Sequence, residues 1–183
     1  ADLQMAVGGL PELQQETLPD VWHVLGRRVE TEMNRKVQRT YLWGKHQQRP
    51  ALLLDVLHGN MTVNTTFLPG VVLEATLAFY KSTTPLRAEL GLLKNMTQTE
   101  TSVRCEVSIK TATTNFINIK TANPWLRHYP LLVQDVIAEQ HDGNWIVRDS
   151  EGYFLPLPPR YPYGWYLRAL SAGGSSDKGL WLF

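Results

Sequence analysis

Cysteine is nearly missing from this sequence: Cys105 is the only one in 183 residues. A lone thiol cannot close an internal disulfide, and it excludes a multi-cysteine metal site. It suits a reducing compartment, so a cytoplasmic location is expected. Long apolar runs are missing too. None approaches the roughly 20 residues that span a bilayer, and no membrane partner is expected. The first stretch, ADLQMAVGGLPELQQETLPD, lacks a charged start and a continuous apolar core, so it does not read as a signal peptide. Neither sign of charge dominates. The formal net charge is +1, which supplies no global steering toward nucleic acid or anionic lipid.

Catalytic signatures are sparse. The histidines His23, His46, His58, His128 and His141 are scattered singly, with no HxH or HExxH pair. No GxSxG elbow is present, and Gly8-Gly9 and Gly173-Gly174 lack the spacing of a phosphate loop. Asp55 with His58 is the best seed for a metal site or for acid-base work in a hydrolase or transferase; a solvated strand-end pair is the plainer reading. Cys105 falls on an apolar stripe, where a thiol is buried and inert. No cofactor is expected. Asn60-Met61-Thr62, Asn64-Thr65-Thr66 and Asn95-Met96-Thr97 match the glycosylation pattern, as chance allows in a chain rich in Asn and Thr.

What the sequence does have is strand patterning. Val37, Arg39, Tyr41 and Trp43 alternate with Gln38, Thr40 and Leu42. Ala51 to Leu57 is apolar on both faces, as expected of a strand covered on both sides. Val21 to Val29, Val71 to Tyr80 and Leu86 to Leu90 alternate as well, and a short edge strand fits around Met61 to Phe67. Five strands with short turns predict an antiparallel sheet that curls on itself, or a partly open barrel.

Thr99 to Leu126 is rich in β-formers, yet Cys105, Ile109, Ala112, Phe116, Ile119 and Leu126 recur at helical spacing, and a helix ended by Pro124 is predicted. Strands follow at Leu131 to Ala138, Asn144 to Arg148, Tyr153 to Leu157 and Gly164 to Leu170. Asp142-Gly143 and Glu151-Gly152 supply turns that need positive φ. Leu180-Trp181-Leu182-Phe183 reads as a strand cut short. The expected class is therefore α+β, mostly β: a tail of an upstream region over 1–20, a curled β domain over 21–98, a linking helix over 99–126, and a β-rich lobe over 127–183 that is expected to be truncated.

Several runs together resemble one family: DVWHVLGRRVETEMNRKVQRTYLWGKHQQRPALLLD, LPGVVLEATLAFYKSTTPLRAEL, NPWLRHYPL, GNWIVRDSEGYFLPL and GWYLRALSAGG. They are similar to the region that follows the finger in bacterial SWIM zinc-finger proteins, over roughly residues 15–183. The CxC…CxH finger itself is absent, so its metal and DNA-binding properties transfer to no residue here. The resemblance implies a bacterial cytoplasmic protein of uncharacterised role, in a system with MoxR-type ATPases and VWA-domain proteins.

Two surfaces stand out as binding candidates. Between Arg27 and Arg49 lie Arg27, Arg28, Arg35, Lys36, Arg39, Lys45 and Arg49 against Glu30 and Glu32, a local charge of 7 − 2 = +5. With Tyr41 and Trp43 on the face of Arg39, this hairpin could hold a single-stranded nucleic acid by stacking and phosphate tracking. The alternative is that both rings pack and that the charges, four of them in predicted loops, solvate turns. Among the six tryptophans, Trp125 in Asn123-Pro124-Trp125-Leu126 and Trp165 after the proline connector are the candidates for partner docking. The leading expectation is a non-enzymatic binding or scaffolding module of a larger protein.

Overall fold

The predicted strand patterning of the first half is realised as β1 (Glu16–Glu32), β2 (Arg35–Gly44), β3 (Arg49–Leu57), β4 (Val71–Phe79) and β5 (Arg87–Gln98). The computed structural model describes residues 16–57, 65–82, 86–98, 108–126, 129–133, 135–159, 161–172 and 180–182. Two units divide the chain, residues 1–101 and 102–183, and among the described residues strand dominates, with two helices.

In the first unit the five strands close into a barrel in the order β1-β2-β3-β5-β4. The curled sheet expected from the sequence is there, but it is not a plain antiparallel meander. β4 pairs with β1 and with β5, and β3 meets β5 in parallel at Leu52–Arg87 and Leu53–Ala88. β1 begins at Glu16, so residues 16–20 belong to the barrel, not to a separate tail; Thr17 to Asp20 pair with Ala78 to Ala75. β5 likewise runs on to Gln98. The edge strand expected near Met61 to Phe67 lies largely outside the described residues, and Thr65 to Gly70 is not strand.

The barrel interior is apolar: Trp22, Val24, Leu42, Ala51, Leu53, Leu73, Ala75, Leu77 and Phe79 form one cluster. Alternation sends Thr40 and Gln38 inward after Leu42, and both are fully buried, with Gln38 Nε2 donating to Thr40 Oγ1 at 3.4 Å. Residues 51–57 are a strand, as expected, yet they are not dry on both sides. Leu52, Leu54 and Val56 are half-buried and Asp55 is exposed. The strand buried on both faces is β2, where every residue from Thr40 to Gly44 is buried.

Turn chemistry explains the hairpins. Met33 and Asn34 adopt φ 46° and 63° between β1 and β2, the pair of positive angles that a tight two-residue connection requires. Asp20, itself buried, holds the β2–β3 turn. Its carboxylate accepts from the backbone N–H of His46 and, at 2.8 Å, of Gln47.

The second unit contains α1 (Ile109–Ala122), β6 (Leu131–Val133), β7 (Val136–His141), β8 (Asn144–Asp149), β9 (Phe154–Pro156), α2 (Gly164–Ala172) and β10 (Leu180–Leu182). α1 confirms the helical spacing over its length. Ser108 caps it by accepting from Thr111 N–H at 3.3 Å, Ile109 and Ala112 are buried, and it ends just before Asn123-Pro124. Cys105 and residues 99–107 lie outside the described residues. β7, β8 and β9 form an antiparallel sheet, turned at Asp142-Gly143 with φ 49° and 78°. β6 pairs with β10.

Gly164 to Leu170, expected as a strand, is helix α2. Its short run alternates in sequence, but burial follows helical spacing, with Gly164 and Leu167 buried three apart. Gly164 has a packing reason: a Cβ there would lie 2.1 Å from the Trp145 ring. Only glycine lets the helix start sit this close to the indole.

Candidate functional site

Alternation places Val37, Arg39, Tyr41 and Trp43 on the outer face of β2, opposite Leu42. There the two rings are buried, Tyr41 to 2% exposure and Trp43 to 8%. Burial is the chief cause that pushes the Tyr41 phenol above its ordinary pKa. Rings so covered offer no open face on which a base could stack.

Three of the hairpin's seven basic residues, Arg28, Arg39 and Arg49, are ion-paired within the protein. Arg39 reaches Glu30 at 2.9 Å and Glu32 at 2.7 Å, Arg28 reaches Glu30 at 2.8 Å, and Arg49 reaches Glu16 at 3.2 Å while lying over the Phe79 ring. Arg27 is half-buried, and Lys45 is exposed in the β2–β3 turn. Registry explains the Arg39 pairs: β1 folds back on β2 so that Arg28 faces Arg39, and the two glutamates relieve that like-charge row.

Of the acid-base seed, Asp55 is exposed on β3, and neighbouring protein excludes enough water to raise its pKa. His58 lies outside the described residues. Among the described residues no group of three His, Cys, Asp or Glu is placed to hold a metal ion. No described helix is long and apolar enough to cross a membrane.

His23 is a polar residue that sequence reasoning passed over. It is buried on β1, directly opposite Trp43 on one side and Val72 on the other. Burial first, and then the Lys45 charge, hold its imidazole below the ordinary value of 6.5, against a smaller upward pull from Asp20. The folded state thus favours neutral His23, and the stability it lends is full above pH 6.5 and lost as pH falls below that value. Urea midpoints should therefore drop as pH falls from about 7 to about 5, and His23→Gln should flatten that slope. An unchanged slope in the variant contradicts this assignment.

In the second unit, Trp125 and Trp165 are both exposed, to 90% and 65%. Trp125 follows the end of α1 just after Pro124. Trp165 opens α2 and stacks edge-on against buried Trp145, ring centroids 5.0 Å apart at 83°. Nearby in sequence, Tyr163 is 63% exposed and packs on Tyr161 at 5.9 Å. The edge-on contact fixes one side of the Trp165 indole and leaves the rest to solvent.

Comparisons of the chain with family models, curated proteins and solved structures return no match.

Proposed function

We propose that this chain is a non-enzymatic binding or scaffolding module of a larger bacterial protein, and that Trp125 and Trp165 mark its protein-docking surface. The observation that carries the reading is the exposure of these two indoles at helix ends. An indole left in water forgoes the burial that large aromatics ordinarily gain, and interfaces concentrate binding energy in such residues. The resemblance to the region beyond the finger of SWIM zinc-finger proteins supports the same reading. It supplies the partners to test, a MoxR-type ATPase and a VWA-domain protein of the kind the resemblance implies, and a cytoplasmic setting is proposed with them. Trp125→Ala or Trp165→Ala should each weaken capture of such a purified partner by about 2 kcal/mol, roughly 30-fold, while the circular dichroism spectrum stays unchanged. Equal affinity in both variants removes the proposal.

One observation favours a second reading, single-stranded nucleic-acid binding through residues 27–49. The strand order β1-β2-β3-β5-β4 resembles that of five-stranded Greek-key barrels, which bind oligonucleotides on the face of strands 2 and 3. On that face Tyr41 and Trp43 are covered and Arg39 is ion-paired, which is why this reading ranks second.

A further inference from the structure

Lys120 sits in the last turn of α1, yet its side-chain bonds leave the helix. Its ammonium donates to Pro124 O at 2.8 Å and to Leu126 O at 2.6 Å. Those two carbonyls lie on either side of Trp125, whose indole is 90% exposed. The segment is a tight turn, closed by Leu126 N–H donating to Asn123 O at 3.1 Å and tied to α1 by Asn123 N–H donating to Ile119 O at 2.9 Å. Asn123 and Pro124 fill the first two positions of that turn, where each is favoured, and the proline ring fixes its own φ. Hydrogen bonds on both flanks therefore hold the backbone beneath a side chain that is itself left in water.

The helix alone does not call for this arrangement. A lysine that only capped α1 would bond the carbonyls of its last turn, or stay solvated near its negative end. Lys120 instead reaches past Asn123. Packing of the indole does not explain the order either, since the ring is exposed. The order matters once a partner closes on the ring. A loop already fixed loses less freedom on binding, and an anchor whose competent position is only partly populated binds more weakly by that fraction. We infer that Lys120 is a positioning residue for docking: its ammonium holds the 123–126 turn so that Trp125 meets a protein partner from one fixed backbone conformation. This rests on the docking reading of Trp125 and extends it to a residue that need not touch the partner.

The test measures binding of the full chain to the purified MoxR-type ATPase, together with backbone ¹⁵N relaxation of the free chain. Lys120→Met keeps the aliphatic stem and removes the N–H donors. It should leave the circular dichroism spectrum unchanged, raise the mobility of the Trp125 and Leu126 amides, and weaken binding roughly fivefold. Lys120→Arg, which can still donate to both carbonyls, should restore most of that loss. Added to Trp125→Ala, Lys120→Met should cost nothing further, because its effect passes through the indole. Full affinity in Lys120→Met beside weak binding in Trp125→Ala overturns this inference and leaves the docking reading standing. An equal loss from Lys120→Met with the indole already removed also overturns it, since the ammonium would then be touching the partner itself. Full affinity in Trp125→Ala removes the docking reading and this inference together. Should Lys120→Met lose its helix, Lys120→Gln, which keeps donors on a shorter stem, decides by the same criteria.

Discussion

Asp149→Ala is expected to destabilise the second unit by about 3–4 kcal/mol. Asp149 is buried at the end of β8, and its carboxylate accepts from three backbone N–H groups: Ile109 at 3.1 Å, Glu151 at 3.1 Å and Tyr153 at 2.9 Å. The first of these opens α1, whose unpaired N–H groups attract negative charge. The other two close the turn into β9, reinforced by Asp149 N–H donating to Tyr153 O at 2.9 Å. Alanine leaves the buried Ile109 donor without an acceptor, while the part-buried donors of Glu151 and Tyr153 must turn to water. Asp149→Asn keeps one acceptor oxygen and should lose about half as much. Denaturant titration followed by circular dichroism measures both, and a loss under 1 kcal/mol in the alanine variant contradicts the account.

Trp22→Ala should cost about 4 kcal/mol, the largest single loss available in the barrel. Trp22 is fully buried, packs on Phe79 with ring centroids 5.9 Å apart, and donates its indole N–H to Ala75 O at 3.1 Å. That bond joins β1 to β4 through the interior, in addition to their backbone ladder. Truncation therefore opens a void and strands a carbonyl. Trp22→Phe isolates the second effect: most of the volume stays, the bond goes, and about 1–2 kcal/mol should be lost. Comparable losses in the two variants would mean that the hydrogen bond, not the void, dominates.

Much of this architecture is readable from local pattern. Period-two alternation finds the barrel strands, and the stripe from Ile109 to Ile119 finds α1 despite its threonines, because Ser108 caps it and Pro124 bounds it. Coverage is less legible. The run 51–57 is oily throughout, yet β2, with its Gln, Thr, Tyr and Trp, is the strand buried on both faces. Composition states what a side chain prefers, whereas closure of the barrel decides which face is covered. α2 was hidden because nine residues hold too few periods to separate helix from strand.

The site residues divide the same way. Trp125 was legible because Pro124 beside it ends the helix that precedes it, and Trp165 because it follows a proline-rich connector. The long-range roles of Asp20 and Asp149 gave no local signal, since Gln47 and Ile109 lie 27 and 40 residues away. His23 was equally silent, because its neighbour Trp43 reaches it only through the β1–β2 registry.

The parallel meeting of β3 and β5 has a mechanical consequence. Every other junction around the cylinder is a long ladder, but this one rests on Leu52–Arg87, Leu53–Ala88 and the bond from Leu52 N–H to Leu86 O at 2.8 Å. A hoop with one short weld gives way at the weld. Thermal breathing of the barrel therefore starts between these strands, and it exposes the inner wall from that side while the β1–β2 hairpin keeps its shape.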